Sequence, residues 1–219
     1  MARIIAEAAV EGSGRGTIAR RVPVVTTLPR SIIDRAAPLL ASRSEAVTVA
    51  EWLDSPDSPE YSELFQGMLV VPPAPDTGHQ DIATKMSAAL VVRTLIEGGL
   101  VLSAPTAVLL GPDIGFEPDI LYLAPEHLDR RSRRAVDGPP DIVVEVASPS
   151  TRAYDIGTKL PLYLSHGVRE VWIVDPVALT VSVYEPGAAA PQVVRFGERI
   201  PSGNVDVGAA NLDRLAPPR

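Results

Sequence analysis

Apolar and polar positions follow two different periods along the chain. Residues 79–97 carry apolar side chains at helical spacing before Gly98 and Gly99, which predicts a helix that ends at this glycine pair. Helical spacing recurs at residues 154–166, before Gly167. Short β-branched runs predict strands at 68–71, 100–103, 106–110, 119–123, 170–175 and 180–184. Helices and strands therefore alternate, which favours an α/β fold.

A helix-capping pattern indicates where the folded part begins. Thr48 precedes an apolar run, and Glu51 lies three residues after Thr48, which is typical of a capping box. Residues 61–67 are predicted to add a helical turn that ends with a glycine. Residues 1–44 mix Ala, Arg, Pro and Gly without a clear period, so we interpret them as an N-terminal extension of undefined order and residues 45–219 as the domain.

One predicted strand carries a charge inside an apolar run. Residues 141–148 are mostly β-branched or small, and Glu145 lies among them. A buried carboxylate either takes up a proton or requires a cation or hydrogen-bond donors beside it. Because a helix and a further strand follow up to residue 175, we expect a crossover unit within a mixed β-sheet flanked by helices.

Charge and composition narrow the possible partners and location. The formal net charge of −7 disfavours a nucleic-acid partner, although residues 1–44 alone carry +4. Arg130 and Arg131 belong to an arginine cluster for which solvation and phosphate contact are equally supported. The chain has no cysteine, no signal-peptide pattern and no run of ~18 apolar residues, so we expect a cytoplasmic protein without membrane contact.

Two carboxylates and a lysine form a candidate metal-dependent site. Asp141 lies on the same strand face as Glu145 but about 13 Å away, too far to share an ion. Asp119 opens the strand before the arginine cluster and offers a second carboxylate from a neighbouring strand. Paired carboxylates suit Mg²⁺ or Mn²⁺. Lys159, on the following helix, could reach the same pocket.

These residues carry a resemblance to a known family. The chain resembles the bacterial Uma-two family within the PD-(D/E)XK nuclease superfamily, over about residues 48–187. The long block at 140–160 is the specific part of the likeness, because a lone Pro-Asp pair is common. The matching segments are SELFQGMLV (62–70), PDTGHQ (75–80), EPDILYL (117–123), PDIVVEVASPSTRAYDIGTKL (140–160) and GVREVWIVDP (167–176).

The resemblance implies a restriction endonuclease-like α/β fold and a Mg²⁺- or Mn²⁺-dependent endonuclease acting on DNA. By similarity, Asp119 and Glu145 hold the metal and Lys159 serves the attacking water. Glu63, expected on the first helix, would be an outer or second-metal ligand. Ala147 stands where the superfamily pattern has its lysine, so Lys159 takes that role from the next helix. Partial burial is expected to ease its role by lowering the pKa of Lys159.

Simpler interpretations compete with these roles. Glu145 could pair with a buried arginine, and Lys159 could form an ordinary surface pair with Asp155. His79 could contact phosphate at a helix start or could be a half-buried structural residue. A catalytically inactive member of the same fold that binds nucleic acid or protein is the alternative function. A homodimer is expected if two strands are to be cut.

Overall fold

The computed structural model describes residues 24–26, 46–55, 58 and 61–207. Its strands form two mixed six-stranded sheets, in the spatial orders β1-β3-β2-β6-β5-β8 and β12-β11-β10-β9-β7-β4. The α/β prediction of mixed sheets flanked by helices is confirmed. The strands are β1 (Val24–Thr26), β2 (Glu63–Phe65), β3 (Met68–Val71), β4 (Leu100–Ser103), β5 (Ala107–Gly111), β6 (Ile114–Phe116), β7 (Ile120–Leu123), β8 (Ala135–Asp137), β9 (Ile142–Val146), β10 (Glu170–Asp175), β11 (Thr180–Tyr184) and β12 (Gln192–Arg195).

The predicted start of the first helix and the predicted end of the long second helix are both present, whereas the second helix begins two residues before the predicted His79. Helix α1 (Val49–Asp54) begins with a reciprocal capping box between Thr48 and Glu51. Helix α2 (Thr77–Glu97) begins at Asp76, whose carboxylate accepts a hydrogen bond from the backbone of His79 at 2.8 Å, and ends at Gly98. No helix in the described part of the chain is long and apolar enough to cross a membrane.

The prediction of a helical turn at residues 61–67 is wrong. This segment contains β2, which forms an antiparallel hairpin with β3 through Gln66 and Gly67. Both turn residues have positive φ, +50° and +76°, the geometry that a two-residue hairpin requires. A Cβ on Gly67 would lie 2.5 Å from the Cβ of Ala46, so the position also requires the small residue. Glu63 therefore lies on a strand and not on the first helix.

The predicted crossover unit is present at β9 and β10, which pair in parallel. The connection is helical but irregular: an α-helical turn α3 (Arg152–Tyr154), a π-helical turn π1 (Asp155–Lys159) and helix α4 (Leu160–Ser165). Pro161 lies at the start of α4, where proline lacks the N–H of a regular helix and clashes with the preceding turn. The widened π-turn accommodates that defect, and π-turns are frequent at functional sites.

The two faces of the second sheet are buried by different elements. Val144 and Trp172 pack on one face with α2 and the segment that contains Phe196. The other face, with Val143 and Ile173, packs under α4 and against Phe116 of β6 in the first sheet. Glu145 shares the parity of Val143 and therefore points to this second face. The candidate carboxylate is thus directed between the two sheets.

Three strands, β6, β8 and β12, have no counterpart among the predicted elements. They are three or four residues long, too short for a clear period. Strand β1 comes from the predicted extension and pairs in parallel with β3. The rest of residues 1–44 lies outside the described residues, so the domain boundary stays a prediction.

Candidate active site

A cleft of about 960 Å³ opens between β2, the start of α2, the start of β7, the end of β9 and the helical connection after β9. Its wall includes prolines from three loops and the exposed ring of Tyr61. Its ionisable residues are Glu63, Asp76, His79, Glu117, Asp119, Glu145, Asp155 and Lys159. Acidic groups therefore outnumber basic groups in the cleft.

Two strands bring Asp119 and Glu145 together. Strands β7 and β9 are antiparallel, with Ile120 opposite Val144, so the next pair along the ladder is Asp119 and Glu145. The Asp119 carboxylate accepts a hydrogen bond from the backbone N–H of Val146 at 2.7 Å. This bond holds the side chain at the end of the ladder. The expectation that the two carboxylates come from adjacent strands agrees with this geometry.

Lys159 is the central cation of the cleft. Its Nζ lies 2.6 Å from Glu145 Oε1 and 2.9 Å from Glu63 Oε1, and 3.8 Å from Asp155 Oδ1. The Lys159 side chain is only 5% exposed. Asp155 is therefore a buried third neighbour and not the surface partner of the simpler interpretation. Glu145 pairs with this lysine and not with an arginine.

Further donors complete the surroundings of the two glutamates. The Tyr163 hydroxyl donates to Glu145 Oε1 at 2.9 Å, and the backbone N–H of Glu117 donates to Glu63 Oε1 at 3.1 Å. Glu63 Oε2 and the hydroxyl of Tyr154 are buried without a hydrogen-bond partner. Burial raises the pKa of Tyr154, and its hydroxyl nevertheless lies close enough to Glu63 for that contact to raise this pKa further, so the hydroxyl is the nearby donor for the Glu63 carboxylate.

The electrostatics of the cleft follow from an excess of carboxylates over cations. Burial raises the pKa of Glu145, and the Lys159 ammonium opposes that rise. Burial raises the pKa of Asp155 to about 6, again opposed by Lys159. Burial and the nearby Glu63 charge raise the pKa of Glu117 to about 7. These groups interact closely enough to titrate as a set.

The predicted lowering of the pKa of Lys159 is wrong. Burial alone lowers it, but the charges of Glu145 and Glu63 outweigh burial and raise the pKa well above the ordinary lysine value. With both glutamates beside it, the amine is protonated at neutral pH. It can therefore donate hydrogen bonds and stabilise negative charge.

His79 lies at the mouth of the cleft, in the first turn of α2. Its Nε2 is 3.1 Å from Asp119 Oδ2, and its Nδ1 is buried without a hydrogen-bond partner. Burial lowers the pKa of His79, but the hydrogen bond and charge of Asp119 raise it above the ordinary histidine value overall. His79 therefore holds the Asp119 carboxylate in position through this contact.

Two predicted residues lie away from the cleft. Arg130 ends a 3₁₀ helix (Pro125–Arg130) that follows β7, whereas Asp119 precedes β7. The Arg130 guanidinium donates to the backbone carbonyl of Pro139. The backbone of Arg131 forms an isolated antiparallel β-bridge with Val136, and Arg131 does not line the cleft. The structure does not bring either arginine to the carboxylates, and their contact with substrate stays a prediction.

Three neighbours of the site were not identified as site residues from the sequence. Glu117 lies two residues before Asp119, and this closeness in sequence was the feature that could have identified Glu117. Asp155 and Tyr163 both lie four residues from Lys159, which places all three on one side of the helical connection. These spacings could have found them, although only the fold gives their partners.

The donor set fits a hard divalent cation in chemistry. Carboxylate oxygens are the ligands that Mg²⁺ and Mn²⁺ prefer, and Glu63 Oε2 is a buried acceptor without a partner. Within the described residues, no three Asp, Glu or His side chains are gathered as a ready-made metal cage. Mg²⁺ commonly needs only one or two carboxylates, because water and substrate phosphate supply the remaining ligands. Asp119 and Glu145 provide such a pair.

Comparison with known proteins agrees with the fold and the motifs. A crystal structure from Anabaena variabilis, described as "a putative nuclease belonging to DUF820", matches 78% of this chain and 99% of its own at 20% identity and a TM-score of 0.64. At this identity the likeness shows a shared fold. No curated protein matches the chain. The family described as "Uma2: Putative restriction endonuclease" matches residues 49–209. The chain therefore belongs to the Uma2 family.

Proposed function

We propose that the chain is a divalent-metal-dependent endonuclease that hydrolyses phosphodiester bonds in DNA. The observation that carries this proposal is the convergence of Lys159 with Glu145 and Glu63, beside an Asp119 that lies opposite Glu145 on the adjacent strand. Membership of a family described as a restriction endonuclease family supports the reaction class. A cytoplasmic location and a DNA partner belong to the same proposal.

Asp119 and Glu145 would hold Mg²⁺ or Mn²⁺, with Glu63 as an outer ligand. The bound ion would acidify a water molecule and neutralise charge on the phosphoryl oxygens. The backbone N–H of Val146 and the ring of His79 keep Asp119 oriented. The Tyr163 hydroxyl does the same for Glu145. These supports reduce the reorganisation needed when substrate arrives.

Lys159 acts as a hydrogen-bond donor and a fixed positive charge. Its raised pKa keeps it protonated, so it stabilises the negative charge that develops on the phosphoryl group and orients the attacking water by donating to it. The proton of that water must go to another acceptor. We assign that role to Glu63, because its carboxylate lies 2.9 Å from the Lys159 amine that would orient the water.

Nicking of a supercoiled plasmid tests this proposal. We expect cleavage with Mg²⁺ or Mn²⁺ and none with EDTA. Glu145→Gln preserves the volume and an acceptor for Tyr163 but removes the charge, and should lower the rate at least 100-fold, as should Asp119→Asn. Asp129→Asn neutralises an exposed carboxylate outside the cleft and should cleave normally. Equal cleavage by Glu145→Gln and Asp129→Asn would contradict the proposal.

A binding function without catalysis is the second candidate. It is favoured by the ion pairs of Lys159, which engage Glu145 and Glu63 directly. A wild-type chain that retains labelled oligonucleotide but never nicks DNA, with either metal, would support this alternative.

A further inference from the structure

The C-terminal half of α2 carries an apolar outer face. Leu95 is 81% exposed, Ile96 73%, Val92 56% and Val91 38%. Spacings of three and four residues make these side chains neighbours on the helix surface. Ala88 is also exposed, one turn before Val92. We refer to these five residues as the α2 patch.

The opposite face of the same helix is already packed. Ile82, Met86 and Leu90 are fully buried against the second sheet. Helix α2 therefore has apolar side chains on its buried face along its length and also on its outer face near the C-terminal end, which is typical of a helix segment that is covered on both sides. Contiguous exposed apolar surface of this kind is comparable to the largest apolar patch of a typical monomer, and such patches are often functional.

The charges of this segment do not interrupt the α2 patch. Arg93 pairs with Glu97, four residues later on the same helix. Arg93 lies two residues before Leu95, so it projects from the other side of the helix. The next charged pair, Asp81 and Lys85, lies towards the start of α2. The α2 patch therefore has a polar border and an uncharged centre.

We propose that the α2 patch is the contact between two copies of this chain, packed as an antiparallel pair of α2 helices. In a contact with twofold symmetry, the same patch on both copies forms the interface, so apolar residues face apolar residues. The chain then needs no second surface that is complementary to the patch. Ala88 permits close approach of the two backbones. The small size of the patch also fits a helix pair better than a large partner.

The area agrees with a modest but specific interface. The exposed fractions correspond to roughly 400 Å² of apolar surface on each copy, or ~800 Å² in the pair, which is the apolar centre of an interface at the small end of the range, where ~1,200 Å² in total is the lower bound for stable pairs. His79 lies 13 residues before Val92, about 20 Å along the helix, so the cleft would stay open. The inference goes beyond the proposed function and does not depend on it.

Sedimentation of the full chain tests the pairing. The wild type should sediment with twice the 23.2 kDa monomer mass at micromolar concentration. Leu95→Glu should raise the dimer dissociation constant at least 100-fold, because it places two buried charges at the centre of the contact. Val177→Glu is the matched control: Val177 is 87% exposed but lies in the β10–β11 turn. A monomeric wild type, or a dimer that survives Leu95→Glu, would overturn the proposal.

Cross-linking gives a second measurement that does not rely on weakening the contact. The chain has no cysteine, so a single introduced thiol reports its own surroundings. Under mild oxidation, Val92→Cys should form a disulfide-linked dimer, whereas Val177→Cys should remain monomeric. Equal cross-linking of both variants would indicate random collision and would count against the α2 contact.

Discussion

Replacement of Lys159 by methionine should destabilise the fold in a pH-dependent way. Lys159 is the cation among three buried carboxylates, with side-chain exposures of 5% for Glu145, 2% for Glu63 and 7% for Asp155. Lys159 opposes the rise in the pKa of Glu145 that burial causes, so without the ammonium this pKa should rise further and the carboxyl should be protonated at pH 7. At pH 7 the pH lies about 2.5 units above the ordinary glutamate pKa of 4.5. Each unit costs about 1.4 kcal/mol, so protonating the carboxylate costs ~3.4 kcal/mol of folding free energy.

The expected loss is therefore about 3–5 kcal/mol at pH 7, the range for breaking a buried pair. Its dependence on pH has a definite sign. Between pH 5 and pH 7 the folded variant binds more protons than the folded wild type, up to one more, because loss of the ammonium raises the carboxyl pKa further above its unfolded value. The deficit should therefore shrink by about 1.4 kcal/mol for each pH unit between pH 7 and pH 5.

Urea unfolding at pH 5, 6 and 7, followed by the fluorescence of the buried Trp52 and Trp172, measures this loss. The double variant Lys159→Met/Glu145→Gln should recover most of the stability, since glutamine needs no proton. Lys85→Met, which removes an exposed ion pair with Asp81, should cost less than ~1 kcal/mol at every pH. A deficit that is the same at pH 5 and pH 7, or a double variant as unstable as the single one, would refute the reasoning.

Three further predictions follow from the cleft and its supports. Burial and the charge of Glu63 raise the pKa of Glu117 to about 7, so this group should lower the stability of the wild type as pH rises from about 4.5 to 7. Glu117→Gln should remove the contribution of this group to that fall. In urea unfolding at pH 8 the variant should be ~1–2 kcal/mol more stable than the wild type, after allowance for solvent screening. Identical pH slopes would argue against this assignment. Gly115→Ala should cost ~2–3 kcal/mol in urea unfolding, because the new Cβ would lie 2.3 Å from Trp52 Cζ3, whereas Gly111→Ala, with its nearest contact at 4.0 Å, should cost less than ~1 kcal/mol. Asp119→Asn should lower the pKa of His79 in an NMR titration, because the charge and the hydrogen bond that raise it are lost or weakened; an unchanged pKa would mean that Asp119 does not set it.

The sequence identified the parts of the site that local pattern can reveal. Glu145 and Lys159 lie in one contiguous motif that joins a strand to a helix, and Asp119 begins a β-branched run. Their meeting follows from strand pairing and from the short helical connection. The capping box of α1 and the glycine end of α2 were also predictable, because each depends on residues within one turn.

Other features depend on contacts that local pattern does not contain. Glu63 was expected on a helix, because the hairpin turn at Gln66 and Gly67 carries only one glycine as a signal. The raised pKa of Lys159 depends on Glu63 from the first sheet, so burial alone predicted the wrong direction. The arginine cluster could not be assigned either, since Arg134 pairs with the distant Asp54.

Anomalous diffraction from crystals grown with Mn²⁺ tests the central claim most directly. We expect one strong anomalous peak bound by the carboxylates of Asp119 and Glu145, with the Lys159 amine displaced from Glu145 and still inside the cleft. The same crystals of Glu145→Gln should lack that peak. A wild-type cleft that shows no peak, with Lys159 still between Glu145 and Glu63, would contradict a metal-dependent nuclease at this site.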